Sequence, residues 1–241
     1  MRRPLGPYAR ARRGQHHGAH APGLGAPGPR AQLGPAAHPA AEGRHDLPVP
    51  LSRFVGRERE IARLGRLLAS QRLVTLTGVG GVGKSRLALE AASQALKDYP
   101  DGVRLVELAP LAAPGAVLQA LAATLGVRKP PGRPLLDSVV EWLRPRRILL
   151  ILDNCEHLID ACATLAATLL RACPRLAILA TSREPLRIDG EVVQPVLPLS
   201  LPDPRASLPP DELARAEAVR LFVDRAAGRE NSPSAARPST G

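Results

Sequence analysis

Apolar and polar positions along the chain alternate between two periods. Ile61, Leu64, Leu67 and Leu68 recur at helical spacing and predict a helix over Glu58–Ser70. RLVTLTG (Arg72–Gly78) is a short β-rich run that stops at glycine, the pattern of a buried strand. KSRLALEAASQAL (Lys84–Leu96) returns to the helical period and is stopped by the turn residues YPDG (Tyr99–Gly102). VRLVEL (Val103–Leu108) reads as a second strand. PGAVLQALAATLG (Pro114–Gly126) opens on proline and closes on glycine, the usual asymmetry of a helix. LLDSVVEWLR (Leu135–Arg144) is a further amphipathic helix ending before Pro145. RILLILD (Arg147–Asp153) is a third strand, followed by a helix from about Glu156 to Ala172. LAILATS (Leu176–Ser182) is a fourth strand. VVQPV (Val192–Val196) is a weak fifth, whose internal proline suits a sheet edge. DELARAEAVRLFVDRAA (Asp211–Ala227) has helical period again. Strands alternating with helices predict an α/β fold with a parallel sheet covered on both faces.

Composition changes this picture at the two ends. Residues 1–47 and 228–241 mix Pro, Gly, Ala and Arg with no apolar period, and we expect both to be disordered tails. The net charge of +11 is unevenly spread. Residues 1–47 carry seven Arg against Glu42 and Asp46, so the basic excess lies largely in a tail expected to be solvated. Arg outnumbers Lys thirty to three, a bias of coding composition rather than of phosphate contact. Two Phe, two Tyr and one Trp leave few rings for stacking bases, which argues against a single-strand nucleic-acid binder and makes direct DNA contact an unfavoured expectation.

Cys155, Cys162 and Cys173 are odd in number and close together, so free thiols in a reducing compartment are expected rather than a disulfide framework. Cys155, His157 and Cys162 match no standard zinc spacing. No apolar h-region follows the opening MRR, and no apolar run is long enough to span a membrane. The expectation is a soluble cytoplasmic protein.

GVGGVGKS (Gly78–Ser85) matches G-x-x-x-x-G-K-[ST] in full, between an expected strand and an expected helix. Gly80, Gly81 and Gly83 let the backbone curl so that N–H groups point at phosphate oxygens, and the following helix adds its positive end. Lys84 would neutralise the β- and γ-phosphates, while the Ser85 hydroxyl would ligate Mg²⁺. The candidate loop residues are Gly78, Val79, Gly80, Gly81, Val82, Gly83, Lys84, Ser85 and Arg86. The bland reading is a glycine-rich turn.

Asp153, at the tip of the third strand, is the candidate acid that holds Mg²⁺; capping the next helix is its alternative. Asn154 follows it where many ATP hydrolases place a second acid. An amide can orient water but cannot take its proton. Glu156 is the nearest substitute base, although capping the following helix is its plainer job. Arg183, just past the fourth strand, is placed to reach a γ-phosphate or to form a surface ion pair.

With GVGGVGKS, LLILDNCEHL and LATSREPLRIDGE together, the chain resembles the nucleotide-binding domain of STAND-class signalling ATPases. More narrowly it resembles the NB-ARC-like domains of bacterial antibiotic-regulatory and LuxR-like transcriptional regulators, over about Leu47 to Ala227. FVGRE (Phe54–Glu58) matches the family's opening motif and implies that Val55, Gly56 and Arg57 lie near adenine and ribose. TSRE (Thr181–Glu184) matches the sensor motif and implies that Arg183 reads the γ-phosphate. The resemblance implies a three-layer P-loop NTPase sandwich with sheet order 5-1-4-3-2, binding ATP or ADP with Mg²⁺. It also implies regulatory and DNA-binding partner domains, none of which this sequence shows.

The expected organisation is therefore a tail over 1–47, a nucleotide-binding domain over 48–208, the first helix of a further domain over 209–227, and a tail over 228–241. The expected function is a regulatory switch that holds nucleotide and hydrolyses it slowly. The alternatives are a genuine ATPase, an inactive fragment lacking one wall of the adenine pocket, and a DNA binder acting through the basic tail.

Overall fold

Among the described residues five short strands form one sheet, and three of them are apolar enough to be covered on both faces. The computed structural model describes residues 45–49, 52–202 and 209–230, within the unit Ala41–Gly241; the expected tails lie outside the described residues except at 45–47 and 228–230. The strands are β1 (Leu73–Thr77), β2 (Val103–Glu107), β3 (Leu149–Asp153), β4 (Ala177–Ser182) and β5 (Val192–Pro195). All pairings are parallel, in the order β2-β3-β4-β1-β5. That is the order 5-1-4-3-2 read from the other edge, as the family resemblance implies.

Alternation along each strand sorts side chains between two apolar layers. Leu73, Leu150, Leu152, Ile178 and Ala180 enter the layer filled by α3 (Ala116–Thr124), α4 (Leu135–Leu143) and α5 (Ile159–Ala172). Val74, Leu76, Leu149, Ile151 and Leu179 face the opposite layer, against α1 (Glu58–Ser70) and α2 (Lys84–Gln94). Continuous apolar strands of this kind are stable only when helices remove both faces from water.

The edges are handled locally. Pro195 sits on β5 opposite Thr77, at the border of the sheet, where its missing N–H leaves no gap in a ladder. On the other border, His45 bridges to Val103 and the Asp46 carboxylate pairs with the buried Arg104 at 3.2 Å. These contacts involve residues just ahead of the sequence-based start at Pro48.

Two helices differ from their expected form. The segment expected as one helix from Glu156 begins as a 3-10 turn, Cys155–His157, and α5 starts only at Ile159. Asn154 with φ 68 and Leu158 with φ −131 flank that turn, so the backbone changes course twice before the helix begins. The helix expected over Asp211–Ala227 is split into α6 (Pro210–Leu213) and α7 (Glu217–Glu230). The cause is not local: the Glu217 N–H donates to the Ser200 hydroxyl at 3.1 Å and the Ala218 N–H to the Ser200 carbonyl at 3.2 Å, which starts a new helix there.

Candidate functional site

In a parallel sheet of this order the chain leaves β1 in one direction to β2 and later returns past β1 to β5. Ligand sites in open α/β sheets form at the carboxyl ends of strands beside such a reversal. The Gly78–Gly83 loop leaves β1 at that point. Gly78 has φ +150, and a Cβ there would lie 2.7 Å from the carbonyl oxygen of Val196, so only glycine fits against the exit of β5. Gly83, with φ +95, turns the chain into α2, whose first N–H groups have no side-chain cap. Lys84 is buried, and its Nζ donates to the carbonyls of Gly78 at 2.9 Å and Val79 at 3.1 Å, so the ammonium lies inside the loop. Ser85 is half-buried on the first turn of α2, and Arg86 stacks over the Phe54 ring at 5.9 Å.

The register sets the neighbouring strand tips side by side. Thr77 pairs with Ser182 and Leu152 with Ala180, so β1, β4 and β3 end at one level. There the Thr181 hydroxyl donates to Asp153 Oδ1 at 2.6 Å and accepts the Asn154 N–H at 2.9 Å. Thr181 was absent from the candidate residues, although it stands within the quoted TSRE. Asn154 has a backbone reason for its identity. Its φ of 68 is left-handed, where Asn is enriched among non-glycine residues.

Glu156 does not cap α5: the cap position is Leu158, with no side-chain bond. Its carboxylate instead meets Arg183 Nε at 3.3 Å. The other end of that guanidinium, Nη2, lies 3.5 Å from the point a Cβ on Gly80 would occupy. Arg183 therefore touches both the P-loop and the Glu156 carboxylate.

Beside the loop is an apolar cavity of about 500 Å³, lined by Phe54, Val55, Arg57, Val79–Gly83 and Arg86 on one side and by Pro198, Leu199, Leu201, Ala218 and Leu221 on the other. The second group was not foreseen, because it joins residues over 140 positions from the opening motif. Ala218 and Leu221 bring α7 into the second side of this cavity. Val55 lines the cavity, whereas Gly56 is packed against Glu217, with 3.1 Å from a built Cβ to Oε1.

Arg57 is a brace as well as a lining residue. Its Nη2 donates to the carbonyls of Val82 at 2.7 Å and Leu197 at 2.9 Å, joining the P-loop to the exit of β5. Its Nη1 is buried, 3.9 Å from Glu60 Oε1, and makes no hydrogen bond among the described residues. The positive-φ glycines, the inward Lys84 and the apolar cavity together fit a phosphorylated ligand with a flat apolar part.

Cys155 and Cys162 are buried beneath this site as free thiols. The neighbouring Cys162 thiol and burial push the Cys155 thiol well above its ordinary range. Among the described residues no cluster of three or more His, Cys, Asp or Glu could hold a metal ion, and no helix is long and apolar enough to cross a membrane.

A family model described as an AAA domain matches residues 67–188. A Mycobacterium tuberculosis protein named as a proposed HTH-type transcriptional regulator, Rv0890c, is 48% identical over 160 residues, which are 66% of this chain and 16% of that protein. Regulatory protein AfsR of Streptomyces griseus is 34% identical over 150 residues, 57% of this chain and 15% of its own. The chain thus spans only a small part of these relatives' length. The crystal structure of Cdc6p from Pyrobaculum aerophilum has a TM-score of 0.51 at 20% identity, covering 75% of this chain and 51% of that one, a likeness of fold alone.

Proposed function

Because the chain belongs to the AAA domain family, we propose that it is the ATP- and ADP-binding switch domain of a transcriptional regulator of the NB-ARC-like STAND type, cytoplasmic and slow to hydrolyse. The observation that carries this reading is the convergence of Lys84, the Thr181–Asp153 pair and Arg183 on one end of the sheet, next to an apolar cavity of base-accepting size. The P-loop N–H groups and Lys84 hold the phosphates, while Phe54, Val55 and Leu221 enclose the base. Ser85 and Asp153 would hold Mg²⁺, which when bound supplies positive charge to the phosphate oxygens. Thr181 fixes one Asp153 oxygen by its hydrogen bond and leaves the other available.

What stands around Asp153 supports the slow-hydrolysis part of this reading. Asn154 has no proton-accepting carboxylate, and Glu156 is engaged by Arg183. A second reading, a true ATPase with Glu156 as base, draws support from Glu156 Oε2, which is buried and carries no hydrogen bond. DNA recognition and output belong, on this proposal, to other domains of a longer regulator such as those this chain resembles.

The test is a titration with fluorescent ADP and ATP in the presence of Mg²⁺, with Lys84→Ala as control. Micromolar or tighter binding that the substitution abolishes supports the switch, and turnover well below ordinary enzyme rates separates it from an ATPase. A folded sample that binds neither nucleotide overturns the proposal.

A further inference from the structure

We propose that Glu156 is a positioning residue that makes the site discriminate a nucleoside triphosphate from a diphosphate, by holding Arg183 with its free edge over Gly80. The inference rests on the nucleotide-binding reading above. Arg183 is 68% exposed along its side chain, and an arginine so placed loses much rotamer freedom when it is brought to one contact. Glu156 is only 16% exposed and sits on the short turn Cys155–His157, which is closed by the Leu158 N–H donating to the Cys155 carbonyl at 2.9 Å. It is a fixed point to which a mobile side chain can be tied.

The guanidinium is planar, with its donors in a rigid fork. The ion pair of 3.3 Å sets the Glu156 carboxylate at the Nε side of the fork, while Nη2 lies on the Gly80 side. A carboxylate on Nη2 would compete with a phosphate for the same edge. One on Nε orients the fork and leaves the phosphate-facing edge open. Glu184, the adjacent acid, is occupied by Arg187 at 2.8 Å, so among the described residues Glu156 is the acid paired with Arg183.

The two roles open to Glu156, aligning Arg183 or accepting a proton from water, make different measurements move. The experiment compares affinities for ADP and a non-hydrolysable ATP analogue, both with Mg²⁺, in the full chain. The variants are E156Q, R183A, the double substitution, and E184Q as a control on a neighbouring acid, each checked for an unchanged melting profile. Alignment predicts that E156Q lowers the preference for the triphosphate about two- to fivefold, the worth of one partly exposed ion pair. It also predicts that ADP affinity is unchanged, that E156Q adds nothing in the R183A background, and that E184Q is silent. A preference that rises in E156Q would mean competition for Arg183 and overturns the proposal. So would an equal shift with or without Arg183, or a fall in turnover with the preference intact, the mark of a general base. Wild-type protein that binds ADP through Lys84 while its triphosphate preference ignores E156Q sinks only this inference. Loss of both nucleotides sinks the switch reading beneath it.

Discussion

The backbone N–H of Arg57 donates a 2.7 Å hydrogen bond to the carboxylate of Glu217, 160 positions later in the chain. The same carboxylate accepts the Ser200 N–H at 3.4 Å, while Ser200 in turn caps the Glu217 N–H. One side chain therefore joins the opening motif, the exit of β5 and the start of α7. Glu217→Ala is expected to cost about 1–2 kcal/mol through the N–H groups it leaves without an acceptor. Hydrogen exchange should rise first over residues 217–227, with weaker nucleotide binding and an unaltered sheet. Uniform loss of protection across β1, β3 and β4 would refute a local role.

Gly78 tests the close approach of β5. Alanine there meets the Val196 carbonyl at 2.7 Å and requires a φ of +150 that side chains rarely adopt. We expect destabilisation of about 2–4 kcal/mol, because two pieces of backbone rather than a flexible side chain must separate. Thermal melting measures it. Gly115→Ala, at a glycine with ordinary φ and nothing within 4 Å of a built Cβ, is the control and should melt near the wild type.

Asn154 combines a backbone role with a chemical absence. Asn154→Val is expected to cost about 1–2 kcal/mol, since a left-handed φ of 68 suits no β-branched residue, and Asn154→Gly almost nothing. Asn154→Asp keeps the conformation and adds the acid that the site lacks. Phosphate release should then rise several-fold at unchanged ADP affinity. Turnover that stays at the wild-type rate would show that the amide at 154 is not what limits hydrolysis.

Tyr99 predicts an alkaline limit to stability. Its hydroxyl donates to the Leu68 carbonyl at 2.9 Å, and burial raises its pKa above the ordinary value of 10.0. The unfolded chain therefore ionises first. The associated stability is complete below about pH 10 and is lost as pH rises through the higher folded value. Tyr99→Phe should flatten that limb in pH-dependent denaturation, while lowering stability at neutral pH by about 1 kcal/mol for the lost hydrogen bond.

Much of the fold was legible because it depends on local period. LVTLT and LLILD announce buried strands, and the P-loop pattern places its own strand and helix. Sheet order came from resemblance rather than from period, since nothing in VRLVEL says that it lies at the far edge. The misread helices failed for two reasons: Ser200 starts α7 from outside that helix, and the left-handed Asn154 diverts the chain just before α5. At the site, Lys84, Asp153 and Arg183 were visible as motif residues. Thr181 stood in plain view without a partner to give it meaning. Glu217, Ala218 and Leu221 carried no local signal, because their contacts lie with residues 53–58 in space and not in sequence.

The contacts around the apolar cavity also close some of the longest loops among the described residues. Arg57 to Glu217, Glu58 to Arg220 and Arg53 to Arg225 span 160, 162 and 172 positions. Loop closure of that length costs entropy that the sheet, with its shorter crossovers, has already met when β1, β3 and β4 pair. Assembly should therefore be sequential, with the sheet condensing first and α7 zipping onto residues 53–58 last. In the reverse direction α7 should be the first element to leave. On that order, a bound molecule that bridges the two walls of the cavity would hold α7 against residues 53–58, and so would act on assembly as well as on the finished site.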